Sequence, residues 1–184
     1  MARLEVPRPA TFVTLTGFMG VGKSRIGREL SRALMLHFID LDRYIERRTG
    51  VSIPDIFRHL GEEAFRRMER EAVRELAGKD YLVLSLGGGT FVDPENRKVL
   101  LERGPVVALW ASPETILERT LRKPGERPLL QVEDPLERIR ALLEARTPVY
   151  REAHVHASTD HRKVEEVVAE IVEKLWTHAK ATRP

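Results

Sequence analysis

The chain has 184 residues, 42% of them hydrophobic, with no cysteine and a formal charge of only +3 although 32% of residues are charged. That length suits one compact α/β domain better than two, and the missing thiols exclude disulfides, zinc–thiolate sites and thiol catalysis. No apolar run approaches the roughly 20 residues of a membrane span, and near-balanced charge with 6% aromatics argues against nucleic acid, so a cytoplasmic protein is expected.

Residues 1–10 carry prolines and mixed charge in place of an apolar core and read as a loose lead-in, not a signal peptide. The first predicted strand is Thr11–Thr16. It runs into Gly17-Phe18-Met19-Gly20-Val21-Gly22-Lys23-Ser24, a complete G-x-x-x-x-G-K-S loop, and a helix from Lys23 to Leu34 follows. In that setting the glycines let backbone N–H groups fold around a polyphosphate, and the helix adds its positive end. Lys23 would neutralise the β/γ-phosphates and the Ser24 hydroxyl would ligate Mg²⁺.

The second strand, His37–Leu41, leads into Asp42. In an extended segment Asp40 and Asp42 point to the same side. One carboxylate could hold Mg²⁺, directly or through water, and the other could accept a proton from a substrate hydroxyl. The plainer alternative is that Asp42 caps the next helix. Phe65, Met68, Ala72 and Leu76 then form a helical stripe.

The third strand, Tyr81–Leu86, ends in Gly87-Gly88-Gly89, where bare N–H groups could meet a carboxylate or phosphate, or where the chain simply turns. The fourth is Pro105–Ala111. Its apolar run, like that of the third, suits a parallel strand covered on both faces. Ser112-Pro113 and Asp134-Pro135 read as helix starts. Between them the stretch Arg119–Asp134 is polar and broken by Pro and Gly, a lid or a plain surface loop. A fifth strand, His154–Ala157, precedes a stripe of Val164, Val167, Val168, Ile171 and Leu175. This alternation predicts a parallel sheet between helices, with ligands at the carboxyl ends of the strands.

Spacing alone leaves Arg66 and Arg146 as solvated surface arginines, although a forked guanidinium can grip a carboxylate. His154, His156 and His161 lack a carboxylate or cysteine partner for a metal and read as structural.

Six separated motifs carry a resemblance. They are Gly17–Ser24, Asp40-Leu41-Asp42, Phe65-Arg66-Arg67-Met68-Glu69, Gly87-Gly88-Gly89, Arg127-Pro128-Leu129-Leu130 and Arg146-Thr147-Pro148-Val149-Tyr150. Together, in this order, they resemble the shikimate kinase family from about Thr11 to about Leu175. The resemblance implies a single domain over residues 1–184 with loose termini and a lid over about 120–134. Its fold would be the three-layer α/β/α P-loop kinase type, with a five-stranded parallel sheet in the order 2-3-1-4-5.

The implied activity is transfer of the ATP γ-phosphoryl to the 3-hydroxyl of shikimate by a monomer, on the route to chorismate and the aromatic amino acids. Gly20, Val21, Gly22, Lys23 and Ser24 would cradle the triphosphate, and Ser24 and Asp40 would hold Mg²⁺. Asp42 would bind shikimate and act as base, while Arg66, Arg146 and the Gly88 backbone bind the same substrate. Lys23 and Arg127 would act on the transferring phosphoryl, with Arg119 and Arg162 beside adenine. Near Val164 the family often has a proline that this chain lacks. Alternatives are a P-loop kinase for gluconate or a nucleoside monophosphate, or an ATP-binding regulatory module.

Overall fold

The computed structural model describes residues 8–122 and 132–182. Arg127 with its motif, and residues 1–7, lie outside the described residues.

Five strands form one parallel sheet: β1 (Phe12–Gly17), β2 (His37–Asp40), β3 (Leu82–Ser85), β4 (Val106–Trp110) and β5 (Val155–Ser158), in the order β2-β3-β1-β4-β5. Every predicted strand is present, with its ends moved by one residue at most. All residues of β1 and β3 are buried, as their position inside the sheet requires. The helices are α1 (Lys23–Leu34), α2 (Leu41–Thr49), α3 (Ile53–Ala77), α4 (Pro94–Arg103), α5 (Pro113–Leu121), α6 (Pro135–Tyr150) and α7 (Val164–Thr182). They cover both sides of the sheet, with α1 packed on α7 and α3 on α4. The two predicted stripes do this work. Phe65, Ala72 and Leu76 are buried on α3, and Val167, Val168, Ile171 and Leu175 are buried on α7.

Register then sets the site. Leu15 pairs with Ser85, and Ser85 pairs with Asp40, so β1, β3 and β2 end side by side. The phosphate loop, the Gly87–Gly89 run and the Asp40–Asp42 segment therefore leave the sheet at one edge.

Three expectations need correction. Asp42 is not in an extended segment: Asp40 ends β2 and caps α2, its side chain accepting from Arg43 N at 3.3 Å, so Asp42 projects from the first helical turn. The cap is therefore Asp40 and not Asp42. The third strand begins after Tyr81, whose backbone is left-handed (φ 59). Arg8 Nε donates to Leu34 O at 3.2 Å, and α7 continues through Thr182. One feature was not anticipated: α3 is kinked at Gly61 (φ 81, ψ 170), a conformation that side chains resist and glycine allows.

Candidate active site

The helix starts identify the phosphate cradle. Helices α2 to α6 each begin with a side-chain cap and an acidic residue in the first turn. Helix α1 has neither; it starts from Gly22 in a left-handed conformation (φ 99). Its first N–H groups and its positive end are thus left to an anion. Lys23 Nζ donates to the Gly17 and Phe18 carbonyls at 2.8 and 2.9 Å, which holds the ammonium over the loop. Ser24 Oγ donates to Asp40 Oδ2 at 2.6 Å, joining the start of α1 to the end of β2.

Arg119, near the end of α5, lines the cavity and braces the loop. Its guanidinium donates to Gly20 O and Val21 O at 3.3 and 3.4 Å, and to the Thr159 hydroxyl and carbonyl at 2.9 and 2.7 Å. Val21 itself is buried and offers its backbone. Arg162 does not line the cavity. It pairs with Glu170 and donates to Ser158 O at 3.2 Å.

A cavity of about 690 Å³ joins this cradle to Asp42, Arg66, Gly88 and Arg146. The Asp42 carboxyl is raised from 3.8 to about 6, mainly by burial and then by the neighbouring Asp40 and Glu69, with Lys23 pulling the other way. The glycine run is a close-approach surface. A Cβ on Gly87 would sit 2.7 Å from Asp42 Oδ1, and one on Gly89 would sit 3.0 Å from Arg66 Nη1.

Neither arginine is a solvated surface residue. Arg66 is 28% exposed and donates to Glu69 at 2.5 Å and Glu62 at 3.1 Å. Arg146 Nη1 donates to Gly88 O at 3.0 Å and stacks over Phe18, 5.4 Å from the ring centre.

Three residues of the site gained no role from sequence. Glu69 is 1% exposed; one oxygen takes Arg66 and the other takes the Thr90 hydroxyl at 2.5 Å. Thr90 is held in turn by Asn96 Nδ2 on its carbonyl, at 3.2 Å. Tyr150 is buried and donates to Gly88 O at 2.8 Å. One signal was available for Glu69. It follows Phe65 by four positions and precedes Ala72 by three, so it is an acid on the apolar stripe of α3, where a carboxylate needs a partner.

The histidines hold structural bonds. His154 Nδ1 accepts from Val106 N at 3.0 Å, and His156 Nδ1 accepts from Trp110 Nε1 at 3.1 Å.

At the loop the Ser24 hydroxyl and the Asp40 carboxylate meet. Among the described residues no group of three or more His, Cys, Asp or Glu could hold a metal ion. This donor set suits a hard ion that keeps its waters and takes phosphate oxygens, not one caged by protein alone.

A family model described as shikimate kinase matches residues 19–176. The chain belongs to the shikimate kinase family. A curated shikimate kinase from Thermus thermophilus is 88% identical over 181 residues, which is 98% of each chain. One from Deinococcus radiodurans is 57% identical over 171 residues, 93% of this chain and 86% of the relative. A solved shikimate kinase from Acinetobacter baumannii, in complex with shikimate, has a TM-score of 0.87 at 39% identity, over 92% of this chain and 94% of that one. The parallel sheet and its strand order are those of the shikimate kinase P-loop fold. Among the described residues no helix is long and apolar enough to cross a membrane.

Proposed function

We propose that the chain phosphorylates the 3-hydroxyl of shikimate with ATP, giving shikimate 3-phosphate for chorismate and aromatic amino-acid biosynthesis. One observation carries this reading: a single cavity runs from the uncapped start of α1 to Asp42 and the two arginines. It offers cationic groups for two anions, with the half-buried Asp42 carboxylate in the same cavity.

In this reading the triphosphate lies along Gly20–Ser24, where backbone N–H groups and the end of α1 meet it. Lys23 turns from its carbonyl partners to phosphate oxygens. Ser24 and Asp40 hold Mg²⁺, which when bound neutralises phosphate charge. Arg66 and Arg146 grip the substrate carboxylate, and Glu69 keeps Arg66 aimed. Gly88 lies against the substrate through its backbone.

Asp42, ionised at neutral pH yet more basic than an ordinary carboxylate, accepts the 3-hydroxyl proton. The hydroxyl oxygen then bonds to the γ-phosphorus as its bond to the departing ADP oxygen breaks. Such a step needs mostly positioning and charge stabilisation. Arg127 keeps the role that the resemblance assigns it, at the transferring phosphoryl. Arg119 serves the nucleotide side, and Arg162 keeps the adenine-side role that the resemblance assigns it, outside the lining of this cavity. The unit is one domain, acting as the monomer that the resemblance implies.

The test is coupled ADP release with Mg·ATP and shikimate, gluconate, AMP or no acceptor. Release that depends on shikimate is expected. Release only with another acceptor would keep the kinase and discard the substrate. ATP binding without acceptor-dependent release would favour a regulatory module.

A further inference from the structure

Tyr150 ends α6 one turn after Arg146 and is 1% exposed. A buried phenol needs a partner for its hydroxyl. Its partner is the Gly88 carbonyl at 2.8 Å, in the glycine run 62 positions earlier in the chain. Arg146 Nη1 donates to that same oxygen at 3.0 Å. Two side chains from one helix face thus share one backbone acceptor, whose two lone pairs can serve both. The Tyr150 ring is fixed in turn, since Trp110 packs edge-on against it with ring centres 6.1 Å apart. Burial also raises the phenol above its ordinary pKa, which keeps its proton in place to be donated.

We infer that Tyr150 is a positioning residue for the acceptor substrate: its hydroxyl pins the Gly88 carbonyl, and through it sets where Arg146 and the Gly88–Gly89 peptide stand in the cavity. The inference rests on the proposed function. The physical need is specific. Gly87, Gly88 and Gly89 have no side chains to anchor them; Thr90 N and Val92 N hold the Gly87 and Gly89 carbonyls at 3.3 and 3.1 Å, and the Gly88 carbonyl is held by the side chains of Tyr150 and Arg146. Arg146 alone cannot anchor this segment, because it is itself a long side chain that moves with whatever it holds. A second donor from a buried, ring-locked side chain turns a movable contact into a fixed one. The rest of the Arg146 fork is then left for a carboxylate.

The test is Tyr150→Phe, which keeps the ring and its contact with Trp110 and removes only the donor. The shikimate KM should rise about five- to twentyfold, with the ATP KM within about twofold and kcat within about threefold. The same change made in an Arg146→Lys background should move the shikimate KM less than about twofold, because the shared acceptor already has a broken partnership. A shikimate KM unchanged in Tyr150→Phe would overturn the inference, and so would equal rises in both KM values, which would mean general loosening. Wild-type protein with no shikimate-dependent ADP release would overturn the proposed function together with this inference. Wild-type turnover with an unaffected variant overturns the inference alone.

Discussion

Arg66 and Glu69 meet at 2.5 Å one turn apart on α3, with the glutamate 1% exposed and the arginine 28% exposed. The carboxylate aims the guanidinium, and Thr90, at the end of the glycine run, aims the carboxylate. An arginine on the cavity wall is thereby locked to the same backbone that approaches Asp42.

Glu69→Gln should raise the shikimate KM about tenfold with a smaller effect on the ATP KM, because Arg66 loses its charged partner but not its neighbour. Glu69→Ala should also cost about 3 kcal/mol of stability, since it leaves Arg66 and Thr90 without their buried acceptor. Steady-state kinetics and urea unfolding check the two. A fully stable Ala variant with normal KM values would reject the role.

Asp42→Asn should lower turnover at least about a hundredfold, the lower range for loss of a general base, while ATP still binds. In metal-free protein it should also stabilise the fold. The Asp42 carboxyl rises from 3.8 in the unfolded chain to about 6 in the folded one, so the folded state binds the proton more tightly. Its cost is absent below pH 3.8, grows as pH rises towards 6 and is full above that. The ceiling is about 3 kcal/mol, and a gain of about 1–3 kcal/mol at pH 7.5 is expected, shrinking to nothing near pH 3.5. Unfolding with EDTA at both pH values measures it.

Arg119→Lys keeps the charge but loses the planar fork that bridges the Gly20 and Val21 carbonyls to Thr159. The ATP KM should rise about tenfold, with the shikimate KM within about twofold. Equal effects on both substrates would mean that the brace does not act on the nucleotide side.

His154 and His156 are both pushed below their ordinary pKa, chiefly by burial, and each accepts a hydrogen bond on Nδ1. A folded-state pKa below the unfolded value means that the unfolded chain takes the proton first. Their contribution is therefore whole above about pH 6.5 and is lost as pH falls below it. Both rings are partly solvated, so a drop in Tm of only about 2 °C between pH 7 and 5.5 is expected. It should be measured in the Asp42→Asn background, because Asp42, raised to about 6, titrates with the opposite sign inside that window. Replacing both histidines by Asn should flatten the slope.

Much of the fold was legible because its signals are short-range. Apolar runs marked β1, β3 and β4, three- and four-residue spacing marked the buried faces of α3 and α7, and Ser112-Pro113 and Asp134-Pro135 marked helix starts that the structure caps as expected. The glycines, lysine and serine of the phosphate loop are contiguous, so their chemistry could be read before any contact was known. Asp40 and Asp42 were legible as a pair. Their division of labour was not, because a single 3.3 Å bond to Arg43 N decides that one caps and the other projects.

Sequence by itself determined the alternating α/β order, the polyphosphate loop and the family. Only the tertiary structure decided which charged side chains leave water. By spacing alone Arg66, Arg146 and Tyr150 look like ordinary helix residues, and Glu69 shows only as an acid on an apolar stripe. Their roles come from partners such as Thr90 and Gly88, 21 to 62 positions away. Those partners arrive because β3 lies between β1 and β2, and its glycine end is carried under α3 and α6. Arg162 is likewise held by a partner on another element, Glu170 on α7. Local pattern fixes what a segment can be; burial and long-range hydrogen bonding fix what each charge on it faces.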